Sequence, residues 1–223
     1  MLANEPAGDG QLVWPNGQTY KGDFKNRKMH GNGTLFFPDD KVSDEPMAGE
    51  IALKYFASKF TGKFEFDAII RQEKGFYKWP NGTEYEGEIL QTGTITGFGK
   101  RTQRDSGEAK RKHYDDSVYE GYFKDNKMEG KGWLKDKKGD LYEGQFQKDM
   151  IWGKGMKTLY DGTTYSSDAF KDGVVRGNTN VQWSEKHENS KVRKYGAYVG
   201  QMKDDTQHGK GRVEFLESWE GPS

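Results

Sequence analysis

The fragment Tyr-x-Gly-x-Phe recurs along this chain. It stands at Tyr20-Lys21-Gly22-Asp23-Phe24, Tyr119-Glu120-Gly121-Tyr122-Phe123 and Tyr142-Glu143-Gly144-Gln145-Phe146. A glycine pair follows each at a fixed distance: Gly31/Gly33, Gly130/Gly132 and Gly153/Gly155. Tyr198-Val199-Gly200-Gln201-Met202, followed by Gly209/Gly211, keeps that spacing. A repeat of this length dictates architecture, because each unit must bury its apolar face against the next. It also argues against an enzyme, since an array of equal units builds a surface and not a pocket.

Hydrophobic residues make up 32% of the 223 and charged residues 31%, too lean for a thick core. Aromatics reach 14% and there are 30 glycines, which a disordered chain would lack. The apolar surface must therefore come from Tyr, Phe and Trp in a thin structure. The 35 basic and 35 acidic residues cancel, so no global field draws in nucleic acid. With no cysteine there are no disulfides and no thiolate metal sites. Met1-Leu2-Ala3-Asn4-Glu5-Pro6 lacks the basic start and apolar core of a signal peptide. No apolar run approaches the ~20 residues of a membrane-spanning helix.

Alternation within the fragment gives its conformation. In an extended strand Tyr20, Gly22 and Phe24 share one face and Lys21, Asp23 and Lys25 the other. Lys25 to His30 is polar turn material, and Gly31, Gly33, Leu35 and Phe37 alternate again on the way back. This is an antiparallel hairpin with one aromatic face. Pro15-Asn16-Gly17, Pro80-Asn81-Gly82 and Asp161-Gly162 supply the turns between hairpins, because Asn-Gly and Asp-Gly accept positive φ. Glycine ordinarily weakens a strand. Here it sits two positions from a ring and leaves room for that ring to lie over the backbone, as aromatic residues do over strand glycines in β design.

The tyrosine fragment, a charged turn, His30-Gly31-Asn32-Gly33 or His208-Gly209-Lys210-Gly211, and a Pro-Asn-Gly or Asp-Gly turn together resemble the MORN (membrane occupation and recognition nexus) repeat family. The resemblance covers most of residues 12–221. It implies an all-β fold of tandem hairpins forming one elongated, twisted, antiparallel single-layer sheet with loop insertions. Copies begin at Tyr20, Tyr85, Tyr119, Tyr142, Tyr165 and Tyr198. The copy at Tyr85 reaches Gly97/Gly99 with one extra turn residue, and Ser167 and Thr179 replace glycines in the copy at Tyr165, which predicts local distortion there.

This reading divides the chain into a tail over 1–11 and an array of about seven copies over 12–221, with insertions near 38–59, 100–118 and 184–195. A degenerate copy falls within 38–79. Either Met47-Ala48-Gly49-Glu50-Ile51 or Phe60-Thr61-Gly62-Lys63-Phe64 opens it, a short helix near 48–58 is the competing reading, and Gly75 to Trp79 ends it as a return strand. Both ends are incomplete: Leu12-Val13-Trp14 is a return strand without its first partner, and Trp219-Glu220-Gly221 opens a copy that stops. An open edge invites a strand from another chain, set against the plainer reading that the terminal residues fray.

The candidate partner-binding surface is the aromatic face: Tyr20, Phe24, Tyr85, Tyr119, Phe123, Tyr142, Phe146, Tyr165 and Tyr198. Each ring first packs on its neighbouring glycines. A single-layer sheet has no second layer to cover the face, however, so part of it is expected to stay open to a partner helix or strand. In the insertion 100–118, Lys110, Arg111 and Lys112 are candidates for contact with anionic lipid or acidic tails, set against the plainer reading of a solvated loop balanced by Asp105, Glu108, Asp115 and Asp116. The segment 184–195 reads as a protruding loop. His30 and His208 occupy equivalent positions and are structural, while His113 and His187 lie in insertions. No catalytic, cofactor-binding or metal-binding constellation is present, and Gly-x-Gly with no helix after it is not a dinucleotide fingerprint.

The expectation is a non-catalytic scaffold that engages other proteins of a large assembly, without nucleic acid or cofactor. The resemblance implies a cytoplasmic, cytoskeletal setting, with the axoneme of a cilium or flagellum, including its radial spokes, as the leading place. The alternative it implies is an anionic-phospholipid-binding tether.

Overall fold

The computed structural model describes residues 8–38, 58–91, 93–104, 116–186 and 192–219. The segment Met47–Ile51 with its alternative helix, the cations Lys110, Arg111 and Lys112, the histidines His113 and His187, and Glu220-Gly221 lie outside them. The described residues form sixteen strands, all pairing antiparallel in open sheet, and no helix. This is the all-β hairpin fold that the repeat spacing demands.

The chain divides into two compact units, residues 1–127 and 128–223. The first holds β1 (Gly8–Val13), β2 (Thr19–Lys25), β3 (Lys28–Phe36), β4 (Lys59–Glu65), β5 (Ala68–Ile69), β6 (Gln72–Lys78), β7 (Glu84–Ile89), β8 (Ile95–Thr102) and β9 (Val118–Lys124). The second holds, from one residue into the first of them, β10 (Lys127–Lys135), β11 (Leu141–Gln147), β12 (Met150–Thr158), β13 (Thr164–Lys171), β14 (Val174–Lys186), β15 (Val192–Lys203) and β16 (Thr206–Trp219). Within each unit strand order follows chain order, except that β5 pairs only with β4.

The structure selects between the alternatives left open for the degenerate copy, and other details depart from the sequence reading. Phe60 to Phe64 forms β4, the opening strand of the degenerate copy, and β6 is its return. The edge strand starts at Gly8, inside the stretch read as a tail. The stretch read as a protruding loop over 184–195 is largely strand, because β14 and β15 keep pairing from Trp183–Gly196 to Lys186–Arg193. Trp219 does not open a further copy. It ends β16, opposite Val192.

Two kinds of turn join the strands, and local chemistry selects each. The turn within a hairpin is shorter than the polar stretch 25–30 suggests. In most hairpins it is two residues, as in Asn26-Arg27, Phe66-Asp67, Lys148-Asp149, Asp172-Gly173 and Asp204-Asp205, with φ between 48° and 80° in each of these, whereas the hairpin at Tyr85 closes with a longer loop from Leu90 to Thr94. Positive φ at both positions is the tight hairpin geometry that matches strand twist. The turn between hairpins is a three-residue loop ending in a left-handed glycine. The Trp14 N–H donates to the Gln18 carbonyl (2.9 Å) around Pro15-Asn16-Gly17, and Trp79–Thr83 and Leu159–Thr163 repeat the bond. Asn16, Asn81 and Asp161 each accept the N–H two residues ahead at 2.8–3.1 Å, which holds the loop.

The second turn residue also ties hairpins together. Asp67 Oδ1 accepts the Met29 N–H (2.8 Å), Asn126 Oδ1 that of Ile95 (2.8 Å), Asp149 Oδ1 that of Met128 (2.9 Å) and Asp205 Oδ1 that of Val175 (2.8 Å). In each case the clasped strand opens the return of the preceding hairpin, and the backbone N–H of the same Asp or Asn donates to that residue's carbonyl at 3.0–3.2 Å. Where the turn residue is Gly173 only this backbone bond, to Ile151, remains. Replacing Asp205 with Ala removes the acceptor from a buried N–H and puts a less tolerant residue at positive φ. The expected loss is about 1–3 kcal/mol in urea unfolding, with Asp205→Asn retaining most of the stability.

Candidate interaction surface

The tyrosine strands are built around a shared defect. Gly22 faces Gly33, but two residues further on Phe24 faces Met29, so the return strand holds two extra residues there. The same bulge follows Gly87–Gly99, Gly144–Gly155 and Gly200–Gly211. It aims backbone carbonyls out of the ladder, and the tyrosine hydroxyl donates to them. Tyr20 reaches the Asp23 carbonyl (3.0 Å), Tyr85 that of Glu88 (3.0 Å), Tyr119 that of Tyr122 (2.8 Å), Tyr142 that of Gln145 (3.1 Å) and Tyr198 that of Gln201 (2.7 Å). To do so each ring lies flat on its hairpin. A Cβ on Gly33, Gly99, Gly155 or Gly211 would fall on the ring of Tyr20, Tyr85, Tyr142 or Tyr198.

The bulge also exposes an N–H, and the fourth position of the fragment caps it. The Asn32 N–H donates to Asp23 Oδ2 (2.9 Å), that of Phe98 to Glu88 Oε1 (2.9 Å) and that of Lys154 to Gln145 Oε1 (3.3 Å). A phenylalanine bridges hairpins edge to face, from the fifth position in the copies of Phe64 and Phe123 and from the sixth in the copy at Tyr165. Phe64 meets Tyr20 at 5.1 Å, Phe123 meets Tyr85 at 5.1 Å and Phe170 meets Tyr142 at 5.2 Å.

These contacts decide where the nine rings read as a partner surface come to lie. Tyr20, Tyr85, Tyr119, Tyr142 and Tyr198, with Phe123 and Phe146, are at most 3% exposed. They are the core of the sheet. Only Phe24 and Tyr165 remain half-buried. The open face anticipated for a single layer is closed from within, because glycine lets each ring fold onto its own backbone.

Tyr165 is released for a specific reason. The Ser167 hydroxyl donates to the Arg176 carbonyl (2.6 Å) and lies near that of Asn178, carbonyls equivalent to those of His30 and Asn32 that flank the Tyr20 hydroxyl. Thr179 in turn donates to Ser167 (2.9 Å). Two small hydroxyls replace one phenol and a glycine pair, so the distortion expected at this copy is an exchange of the polar anchor. In the degenerate copy Phe60 has no hydroxyl, and the buried Gln72 amide accepts the Lys63 N–H (2.9 Å).

The face opposite the tyrosines holds what the sequence reading missed. Phe98 and Tyr122 pair across β8 and β9, their rings 5.7 Å apart and edge to face, and they are 49% and 52% exposed. Equivalent places elsewhere carry Asn32, Lys131, Lys154 and Lys210, or Asp23, Glu88, Gln145 and Gln201. Comparing the variable positions of the repeat, and not only its constant ones, would have found this pair. Phe98 also lines a shallow depression of about 480 Å³ with Arg71, Gln72 and Glu88. Among the described residues no group of His, Asp and Glu side chains could hold a metal ion.

The family model described as MORN repeat matches residues 20–42, 65–84, 119–141, 142–164 and 198–215. This chain carries MORN repeats. Four of the matches begin at tyrosines that open a copy in the sequence reading, and the fifth starts within the degenerate copy. The copies at Tyr85 and Tyr165 fall outside the matches yet form the same hairpins. No curated protein matches the chain. MORN repeats point to a protein-interaction or membrane-associated module, and proteins built from them are typically non-catalytic.

Two tests address the MORN core. Gly155→Ala drives a methyl into the Tyr142 ring and is expected to cost about 1–3 kcal/mol in urea unfolding. Adding Tyr142→Ala should then cost less than it does alone, since the clash has already spoiled the contact. The second test is alkaline titration. Burial first, then the Asp23, Asp9 and Asp67 carboxylates, push the Tyr20 hydroxyl from 10.0 up to about 12. Burial, with Glu88 adding and Arg101 opposing, pushes Tyr85 higher still. The unfolded chain loses these protons first, so the stability these two hydroxyls contribute is constant below about pH 10 and is lost as the pH rises above it. Part of the tyrosinate absorbance should therefore appear only as β circular dichroism is lost.

Proposed function

We propose that this chain is a non-catalytic scaffold of a cytoskeletal assembly that engages protein partners through the sheet face opposite its tyrosines. The observation that carries the reading is the exposed Phe98–Tyr122 pair, two rings at positions that other copies fill with polar residues. Exposed aromatic pairs of this kind act as anchors in protein interfaces, because they bury large area at small entropic cost. The half-buried Phe24 and Tyr165 add smaller apolar contacts at the other face.

The place we favour is the axoneme of a cilium or flagellum, in the cytoplasmic compartment, a setting supported only by the kinds of assembly in which such repeats serve. The alternative is a tether to anionic phospholipid through Lys110, Arg111 and Lys112. The balanced charge of 35 basic and 35 acidic residues favours the protein reading, because a neutral chain gains little from an anionic surface.

Co-sedimentation with detergent-extracted cytoskeletons, run beside flotation on vesicles rich in anionic lipid, separates the two. The wild-type chain should pellet with the cytoskeleton, and Phe98→Ser with Tyr122→Gln should reduce that fraction at least ~10-fold while leaving the thermal midpoint within a few degrees. Flotation that is lost on neutralising Lys110, Arg111 and Lys112, with no cytoskeletal pelleting, would overturn the protein reading.

A further inference from the structure

The first edge of the sheet contains a ring seat that no ring among the described residues fills. β1 is a return strand: Gly8, Gly10 and Leu12 stand where Gly31, Gly33 and Leu35 stand in the next copy, and Gly8, like Gly31, is left-handed, with φ of 104°. At Gly33, Gly99, Gly155 and Gly211 the Cβ position is taken by the tyrosine of the strand before it. At Gly10 it meets only the edge of the Phe24 ring, at 3.1 Å, from the strand after it, and at Gly8 it meets nothing within 4 Å.

The neighbours register the same gap. Leu12 is 37% exposed, whereas Leu134, at the corresponding place in β10, is 5% exposed. Phe64 and Phe123 each wedge between their own copy's ring and the tyrosine of the copy before. Phe24 has Tyr20 on one side, at 5.2 Å, and among the described residues no ring on the other. Among the described residues β1 pairs only with β2, so one row of its backbone groups has no strand partner there.

We propose that this edge receives an extended strand from a different polypeptide, bearing the sequence aromatic-x-Gly-(Gln/Asn)-aromatic. The repeat itself dictates that chemistry. Antiparallel to β1, the donor glycine would stand opposite Gly10, as Gly22 stands opposite Gly33, and the preceding aromatic would stand opposite Leu12, as Tyr20 stands opposite Leu35. Its ring would close over Gly10 and against Phe24. In complete copies the residue after the glycine caps a bulge N–H, and here that group belongs to Asp9. An amide fits better than a carboxylate beside the carboxylate of Asp9 itself.

Residues 1–7, Met-Leu-Ala-Asn-Glu-Pro-Ala, contain no aromatic and no glycine and do not match this pattern. A second copy is a poor donor too, because its tyrosine strands lie inside the sheet. The proposal adds an edge to the scaffold reading above. It does not involve the Phe98–Tyr122 face, so either reading can fail without the other.

The test uses the intact chain and an acetylated synthetic peptide, Leu-Tyr-Glu-Gly-Gln-Phe-Gln, with a control in which its tyrosine is alanine. Amide hydrogen exchange across β1 should slow at least ~5-fold with the first peptide at millimolar concentration and remain unchanged with the second. Leu12→Asp, at an exposed site, should abolish the protection without shifting the thermal midpoint. Joining the same strand and an Asp-Asn turn ahead of β1 should raise that midpoint by several degrees and leave the edge unable to bind added peptide. Equal protection by both peptides, protection by neither together with an unchanged midpoint in the fused chain, or protection that appears with protein concentration alone would each overturn the proposal.

Discussion

A tyrosine ring lying on a pair of glycines is the contact from which everything else in this structure follows. It requires two strands with no side chain at facing positions, a bulge beside them that offers a carbonyl, and a hydroxyl long enough to reach it. Each requirement is met by a constant letter of the repeat. The ring then hides in the thickness of one layer, burying surface worth about 1.5–3 kcal/mol without a second sheet or helix above it. A chain that is 32% hydrophobic can fold this way because a few large rings replace many aliphatic side chains.

Polar contacts propagate the arrangement from copy to copy. The fourth-position acceptor closes the bulge inside a hairpin, as Asp23 does for Asn32. The turn Asp or Asn closes the gap between hairpins, as Asp149 does for Met128. The fifth-position aromatic wedges the rings of adjacent copies apart at about 5 Å, as Phe64 does with Tyr20. Stability in such a ribbon is a sum of local units and their junctions. A junction weakened at one turn, as at Gly173, is offset by its neighbours and does not unravel the whole.

The hairpins were legible because alternation and turn residues are local signals. Tyr20, Gly22 and Phe24 share a face by parity alone, and Pro15-Asn16-Gly17 can hardly be anything but a turn. The caps and clasps were not legible, since they join residues 9 to 38 positions apart and depend on where the bulge falls. How completely seven of the nine rings are buried was not legible for a related reason. The glycines beside Tyr142 say that its ring lies over the backbone, but a strand pattern does not say that Phe170 of the next hairpin closes much of the rest. Ser167 shows the same limit from the other side: its sequence departs from the motif, yet its hydroxyl restores the anchor that the motif supplies.

What remains for function is the surface this core does not use. With the tyrosines committed to folding, specificity has to come from positions the fold leaves free: the outward residues of the opposite face and the unpaired edges. There, selection on binding and selection on stability are uncoupled. Changing Asn32 or Lys154 to an aromatic touches no ring seat, so a copy can acquire a contact such as Phe98 with Tyr122 at little cost to its hairpin. That separation explains how near-identical units can be tailored to different neighbours along one chain. It also places the informative variation of such a chain in the letters that break the repeat on its exposed side, and not in those that define it.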